Sequence, residues 1–444
     1  MRIPFAVLAA CLSLAAQAEA IGYQGARHLL DRAGFGATDR EVREYAALDR
    51  VEAVDRLLAG ARREAATPAP SFVAEPIVPA RELRALAPEE RKAMQRRFVQ
   101  EGLALRAWWL GEMLSTGSPL TERMTLFWHN HFATSQRKVR QPQLLYRQNV
   151  LLRREALGSF ATLLHEVAKD PAMLVYLDNA RSRREAPNEN FAREVMELFT
   201  LGVGHYGERD VKEAARAFTG WSVDPQTGDY RYRPAFHDAG EKEVLGRRGN
   251  LDGDQVLDIL LARPETARFI AAKVWREFVS PTPDPAEVER WAAVFRSARY
   301  EVKPLLRAVF LSDAFWSAGN RATLVKSPVD VVVGTLHMLD VRPDDLRPAA
   351  VACAVLGQNL FAPPNVKGWP GGDAWIDSAT LLGRRQFVER VFGDAKAMAA
   401  AARLDAQDID RLVLASAAVE PPPAGAEGAA RLRALVSDPV YQLK

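Results

Sequence analysis

EVREYAALDRVEAVDRLL, residues 41–58, places apolar side chains at Val42, Tyr45, Leu48, Val51, Val54 and Leu58. Steps of three and four residues return to one side of an α-helix, whereas a strand would alternate. A single helix over 41–58 is expected. The same period recurs at 88–116, 119–131, 142–156, 158–169, 188–203, 208–221, 265–280, 286–299, 301–316 and 345–357, and again from Asp377 to Phe387. Lys326-Ser327-Pro328-Val329-Asp330 is a helix start, with Ser327 as cap, Pro328 in the first turn and Asp330 at the capping-box position. The fold class is therefore all-α, a large multi-helix domain.

One stretch breaks the period. Around 222–247, turn residues flank the alternating Asp229-Tyr230-Arg231-Tyr232-Arg233, which predicts a small β-hairpin or irregular insertion. Residues 250–254 (NLDGD) lack the glycine and terminal glutamate of a calcium loop and read as a turn capped by Asp254. From 393 the chain turns alanine- and proline-rich, so we expect a helical domain over 21–392 and a tail with short helices over 393–444.

The N-terminus, MRIPFAVLAACLSLAAQAEA, has one basic residue, a short apolar run and small-x-small sites ending at Ala20. That is the pattern of a secretory signal at 1–20, giving a periplasmic or secreted protein with no transmembrane segment after cleavage. Removal of Cys11 would leave Cys353 alone, in an apolar setting that suits a buried small hydrophobe and offers no internal disulfide. The 444 residues carry 59 basic and 56 acidic side chains, a balance of +3 that argues against nucleic acid as a partner.

Candidate chemistry sits in four places. In FWHNHFATSQRKV, 127–139, His129 and His131 flank Asn130. Residues two apart on a helix diverge by about 200°, so both reach one ion only if the helix unwinds there; otherwise His131, on the apolar face with Leu120, Met124 and Phe127, is a hydrogen-bonded core residue and His129 is peripheral. In PNENFAREVMELFTLGVG, 187–204, Asn190, Glu194 and Glu197 share a polar face, and like charges one turn apart call for a cation, an arginine or a proton. His237-Asp238 in the insertion offers two unlike ligands, or a ligand and a base. Finally, PPNVKGWPGGDAW, 363–375, cannot continue a helix; Lys367 and Trp369 there suit an anionic or sugar-like ligand. No nucleophile elbow, zincin or phosphate-loop motif is present.

The segments HLLDRAGFGAT (28–38), ERMTLFWHNHFATS (122–135), NENFAREVMELFTLG (188–202), EAARAFTGW (213–221), FHDAGEKEVLG (236–246) and PPNVKGWPGGDAWIDSATLLGRR (363–385) resemble the bacterial family called domain of unknown function 1800, over about residues 22–390. The resemblance implies a mainly helical exported protein and, as a partner, an exported sulfatase-like protein, with joint work on an envelope or extracellular polymer. It carries over no catalytic residues. From the residues themselves we expect a metal-assisted hydrolase of such a polysaccharide or anionic polymer. His129, His131 and His237 would hold a divalent ion, Glu194, Glu197 and Asp238 would act on water, and Lys367 and Trp369 would bind substrate. The alternative is a non-catalytic binding or assembly protein in which the same residues form a hydrogen-bond network.

Overall fold

The computed structural model describes residues 19–393, 398–399, 402 and 406–444. Apart from Glu19 and Ala20, the expected leader lies outside the described residues. The rest is all-α as expected, from Gly22–Ala33 to Gly428–Ser437, with two small antiparallel hairpins inserted. Trp221–Val223 pairs with Tyr230–Tyr232, Trp221 opposite Tyr232, and Lys242–Val244 pairs with Arg247–Gly249, Lys242 opposite Gly249.

Two expectations change in detail. The 41–58 stretch forms two helices, Asp39–Ala46 and Arg50–Ala59, because Asp49 starts a new one: its Oδ1 accepts from Glu52 N at 2.8 Å while Glu52 Oε2 accepts from Asp49 N at 3.2 Å. The cap at 250–254 is Asp252, which starts Gly253–Ala262 with Gln255; Asp254 instead pairs with His165 and Lys169. The Ser327–Asp330 capping box forms as read.

Packing divides into two large apolar clusters. One gathers Leu152, Phe160, Phe191, Phe199, Phe218, Trp275 and Phe295. The other gathers Trp109, Leu145, Val332, Leu336, Phe361, Phe392 and Tyr441. Helix Pro119–His131 runs between them, giving Leu120, Met124, Phe127 and Trp128 to the first and Leu126 to the second. Buried on every side, it also carries charge that must be paired: Glu122 takes two hydrogen bonds from Arg153 (2.6 and 2.9 Å) and one from Trp109 Nε1 (2.8 Å). The C-terminal helices Ala406–Val413 and Gly428–Ser437 close the second cluster through Ile409, Val413, Leu435 and Val436, and Leu443 bridges to Val325. No helix among the described residues is long and apolar enough to cross a membrane.

Candidate functional site: a cationic cleft beside helix Pro119–His131

The helix stays regular through His131 before Phe132 leaves it, so the triplet His129-Asn130-His131 projects three ways. His129 is fully buried among Trp109, Phe361 and Trp369, with ring centroids at 5.2, 5.0 and 5.8 Å, and neither ring nitrogen has a hydrogen-bond partner. Burial brings its pKa down to about 4, so the ring is neutral. Asn130 Oδ1 accepts from Trp369 N at 2.7 Å. The approach is close enough that a Cβ on Gly368 (φ +86°) would lie 2.1 Å from that oxygen, which explains the glycine. His131 Nε2–H donates to the Phe199 carbonyl at 3.1 Å, so Nδ1 is an acceptor, and Lys273 Nζ donates to it at 2.9 Å. Burial, then the Lys273 charge, holds His131 well below the usual histidine range.

Asn130, His131 and Lys273 open onto a cleft of about 510 Å³, lined also by Arg123, Arg276, Glu277, Asp330, Lys367, Trp369, Gly371, Asp373, Trp375 and Lys444. Five cations thus face three carboxylates. Arg123 donates to Asp330, Glu277 and the Gly34 carbonyl, and Lys444 Nζ donates to Asp330 at 3.0 Å. Burial would raise the Asp330 carboxyl, but the charges of Arg123 and Lys444 overcome it and hold it far below the carboxylate range. Lys273, Arg276 and Lys367 differ: among the described residues none of them makes an ion pair with a carboxylate. Among the described residues the Lys273 ammonium meets His131 and the face of Phe269, 4.8 Å away. Burial, then the Arg276 charge, brings it down to about 8.

The other expected site residues fall elsewhere. Helix Glu189–Glu194 widens over Val195–Thr200, where Leu201 N reaches back five residues to Met196 O at 2.8 Å. Glu197 accepts from Tyr206 Oη, and the Glu194 carboxyl is raised by burial and by the Glu197 charge, against a lowering from Lys367. Lys367, exposed on the cleft, therefore lies within electrostatic reach of Glu194. His237 Nδ1–H donates to the Thr219 carbonyl at 3.0 Å, and Asp238 takes hydrogen bonds from Arg216 (2.7 and 3.2 Å), which lower its pKa. Trp369 lines the cleft but is only 4% exposed and stacks on His129, so its ring is no open platform. Among the described residues no group of three or more His, Cys, Asp or Glu side chains is placed to hold a metal ion. His129, His131 and His237 are thus not brought to one donor set: the helix does not unwind between the first two, and Thr219 holds the third in the segment between the two hairpins. Cys353 is buried and its thiol pKa raised by burial, as its sequence setting suggested.

Sequence reasoning did not reach Asn130, Lys273, Arg276 or Asp330 as site residues. Lys273 and His131 are 142 positions apart, and nothing local in AAKVWREF, 271–278, marks the lysine.

Fold and cleft together define a helical protein with two cores and a cationic pocket at their seam. Residues 28–443 match the family model described as "Protein of unknown function (DUF1800)", and the chain belongs to that family. No curated protein and no solved structure matches it.

Proposed function

We propose that the chain is an exported, periplasmic or secreted, protein whose cleft binds an acidic saccharide segment of an envelope or extracellular polymer. The observation that carries this reading is Lys273: a largely desolvated ammonium on a roomy cleft, ion-paired to no carboxylate among the described residues, with Arg276 one turn away on the same helix. Like charges so placed cost free energy until an anion arrives, so they mark where a ligand's carboxylate or sulfate would sit. Lys367 adds a third cation on the same cleft. Glu277 and Asp373 line the same cleft and are the carboxylates in reach for acid–base work; hydrolysis asks for one protonated and one ionised.

Calorimetry with an oligogalacturonate and with its carboxyl-reduced, neutral counterpart tests the reading. The acidic oligomer should bind and the neutral one should not. Arg276→Ala and Lys367→Ala should each weaken binding about tenfold, one charge-assisted contact apiece. Equal affinity for both oligomers overturns the proposal. Binding with release of new reducing ends supports the hydrolase. Binding without it supports a protein that presents polymer to an exported sulfatase-like partner.

A second reading rests on Glu194, whose carboxyl is raised by burial and by Glu197, a repulsion that a divalent ion would relieve. Under it the two glutamates, rather than the histidines, would contribute to a metal site and activate water. Metal content of freshly purified protein, compared with Glu194→Gln, tests it: retention lost in the variant supports the site, and equal content in both removes it.

A further inference from the structure

Lys273 can do more than attract an anion. Its surroundings hold the amine in one place without masking its reactive electron pair. The imidazole of His131 offers only Nδ1, because Nε2–H is committed to the buried Phe199 carbonyl. An acceptor nitrogen can take an N–H from the amine but cannot occupy its lone pair. The remaining charged groups that face it are Arg276 and Glu277 on its own helix, Arg123 on helix Pro119–His131, Asp330, Lys444, and Lys367 with Asp373 on the tryptophan loop. Of the carboxylates, Asp330 and Glu277 are already engaged by Arg123 and Lys444, and no ion pair joins either to Lys273.

We infer that Lys273 is a nucleophilic amine that condenses with an anionic aldehyde or 2-oxo acid drawn into the cleft. This rests on the anion-binding reading above, under which the natural carbonyl is the open-chain reducing end of an acidic sugar. The step balances without any further reagent. Nζ bonds to the carbonyl carbon, the carbonyl oxygen is protonated and leaves as water, and a C=N bond remains. In its protonated form that iminium keeps one N–H, which stays on His131 Nδ1, so the anchor survives the reaction. Arg276 and Lys367 face the carboxylate of the bound compound. At neutral pH about a tenth of such an amine is unprotonated, against well under a thousandth for an ordinary lysine.

A competitor within the molecule makes the inference sharp. Lys326 is half-buried, its amine is likewise brought down to about 7, first by desolvation, and its Nζ lies 4.0 Å from the centre of the Tyr441 ring. It lines a separate cavity of about 20 Å³, room for a water and not for a carbonyl compound. Accessibility therefore separates two lysines whose basicity is similar.

The test is reductive trapping on the full chain: glyoxylate, which joins an aldehyde to a carboxylate, with cyanoborohydride near neutral pH, followed by peptide mass mapping. Carboxymethylation of Lys273, whose amine is brought down to about 8, should outpace that of the exposed Lys367 by about tenfold or more, and Lys326 should stay unmodified. Lys273→Arg should abolish the preferred label, because a guanidinium cannot form the C=N bond. Labelling led by Lys326, or spread evenly over surface lysines, overturns the inference. Oligomer binding, measured on the same sample, reports separately on the cleft reading: binding without selective labelling sinks the nucleophile alone, and selective labelling without binding sinks the saccharide alone.

Discussion

At the scale of single residues, His129 decides between the chemistry first read in the His-x-His motif and the packing that is observed. Both its ring nitrogens are buried without partners among Trp109, Phe361 and Trp369. A polar ring in that state has lost its water and gained nothing in exchange. His129→Phe removes two unsatisfied atoms and keeps an aromatic ring in an aromatic nest. It should leave stability unchanged or raise it by about 1 kcal/mol, read as a higher denaturation midpoint. A loss of 2 kcal/mol or more would mean the nitrogens have partners that matter. Part of this was legible beforehand. His131 on the face of Leu120, Met124 and Phe127 was readable as a hydrogen-bonded core residue, and it is one. The burial of His129 was not, because it depends on Phe361 and Trp369, which return to this helix from more than two hundred residues away. Asn130 was passed over for the same reason: its partner is the backbone of Trp369.

Among elements, the instructive case is the stretch over 41–58. Its apolar period runs unbroken through Leu48 and Val51, yet the chain stops one helix at Ala46 and begins another at Arg50. Val51, counted toward the buried face, is 47% exposed. Period alone cannot see a break across which the apolar spacing continues; the signal that could is Asp49 followed by Glu52, a capping box inside the apolar run. Asp49→Ala should cost about 1 kcal/mol in urea unfolding, since it orphans the first N–H groups of helix Arg50–Ala59. Were 41–58 one continuous helix, alanine would be the better helix former and the change would be neutral or stabilising. The same local grammar worked at Ser327, where cap, proline and acid were all read correctly. It has no term for the widened turn at Val195–Thr200, which depends on long-range packing of Phe199 against Phe132 and His131. Thus helix identity and the hairpin insertion were legible from period and composition. The convergence of the Pro119–His131, Pro264–Phe278 and Pro328–Met338 helices on one cleft was not.

For the whole molecule, two cores share a set of buried charges, and how each charge is satisfied sets the pH response. Asp330 is paired by Arg123 and Lys444 and stays ionised; its depressed pKa means a contribution that is full above the ordinary carboxylate range and lost in strong acid. Asp170 is the opposite case. It caps helix Pro171–Tyr176, its Oδ1 accepting from Met173 N at 3.0 Å and from Gln148 Nε2 at 2.8 Å, and among the described residues it forms no ion pair, although the Arg147 charge lowers its pKa slightly. Burial, opposed by those hydrogen bonds, pushes its pKa up from an ordinary 3.8 to about 7. A folded-state pKa above the unfolded one means that the folded chain binds the proton more tightly. The contribution is then complete below about pH 4, falls as pH rises, and is gone above about pH 7. Asp170→Asn keeps the oxygen that caps the helix and accepts from Gln148, and it removes the charge. Urea midpoints taken through this range should show the variant gaining on the parent by up to a few kcal/mol between about pH 4 and 7, then holding a constant lead. Comparing the two chains cancels the acid-side losses from Asp330 and the other paired carboxylates, which have the opposite sign and are common to both. A difference that stays flat across that interval would mean Asp170 is ionised in the folded chain at little cost, with its charge balanced by something other than Gln148 and the Met173 amide.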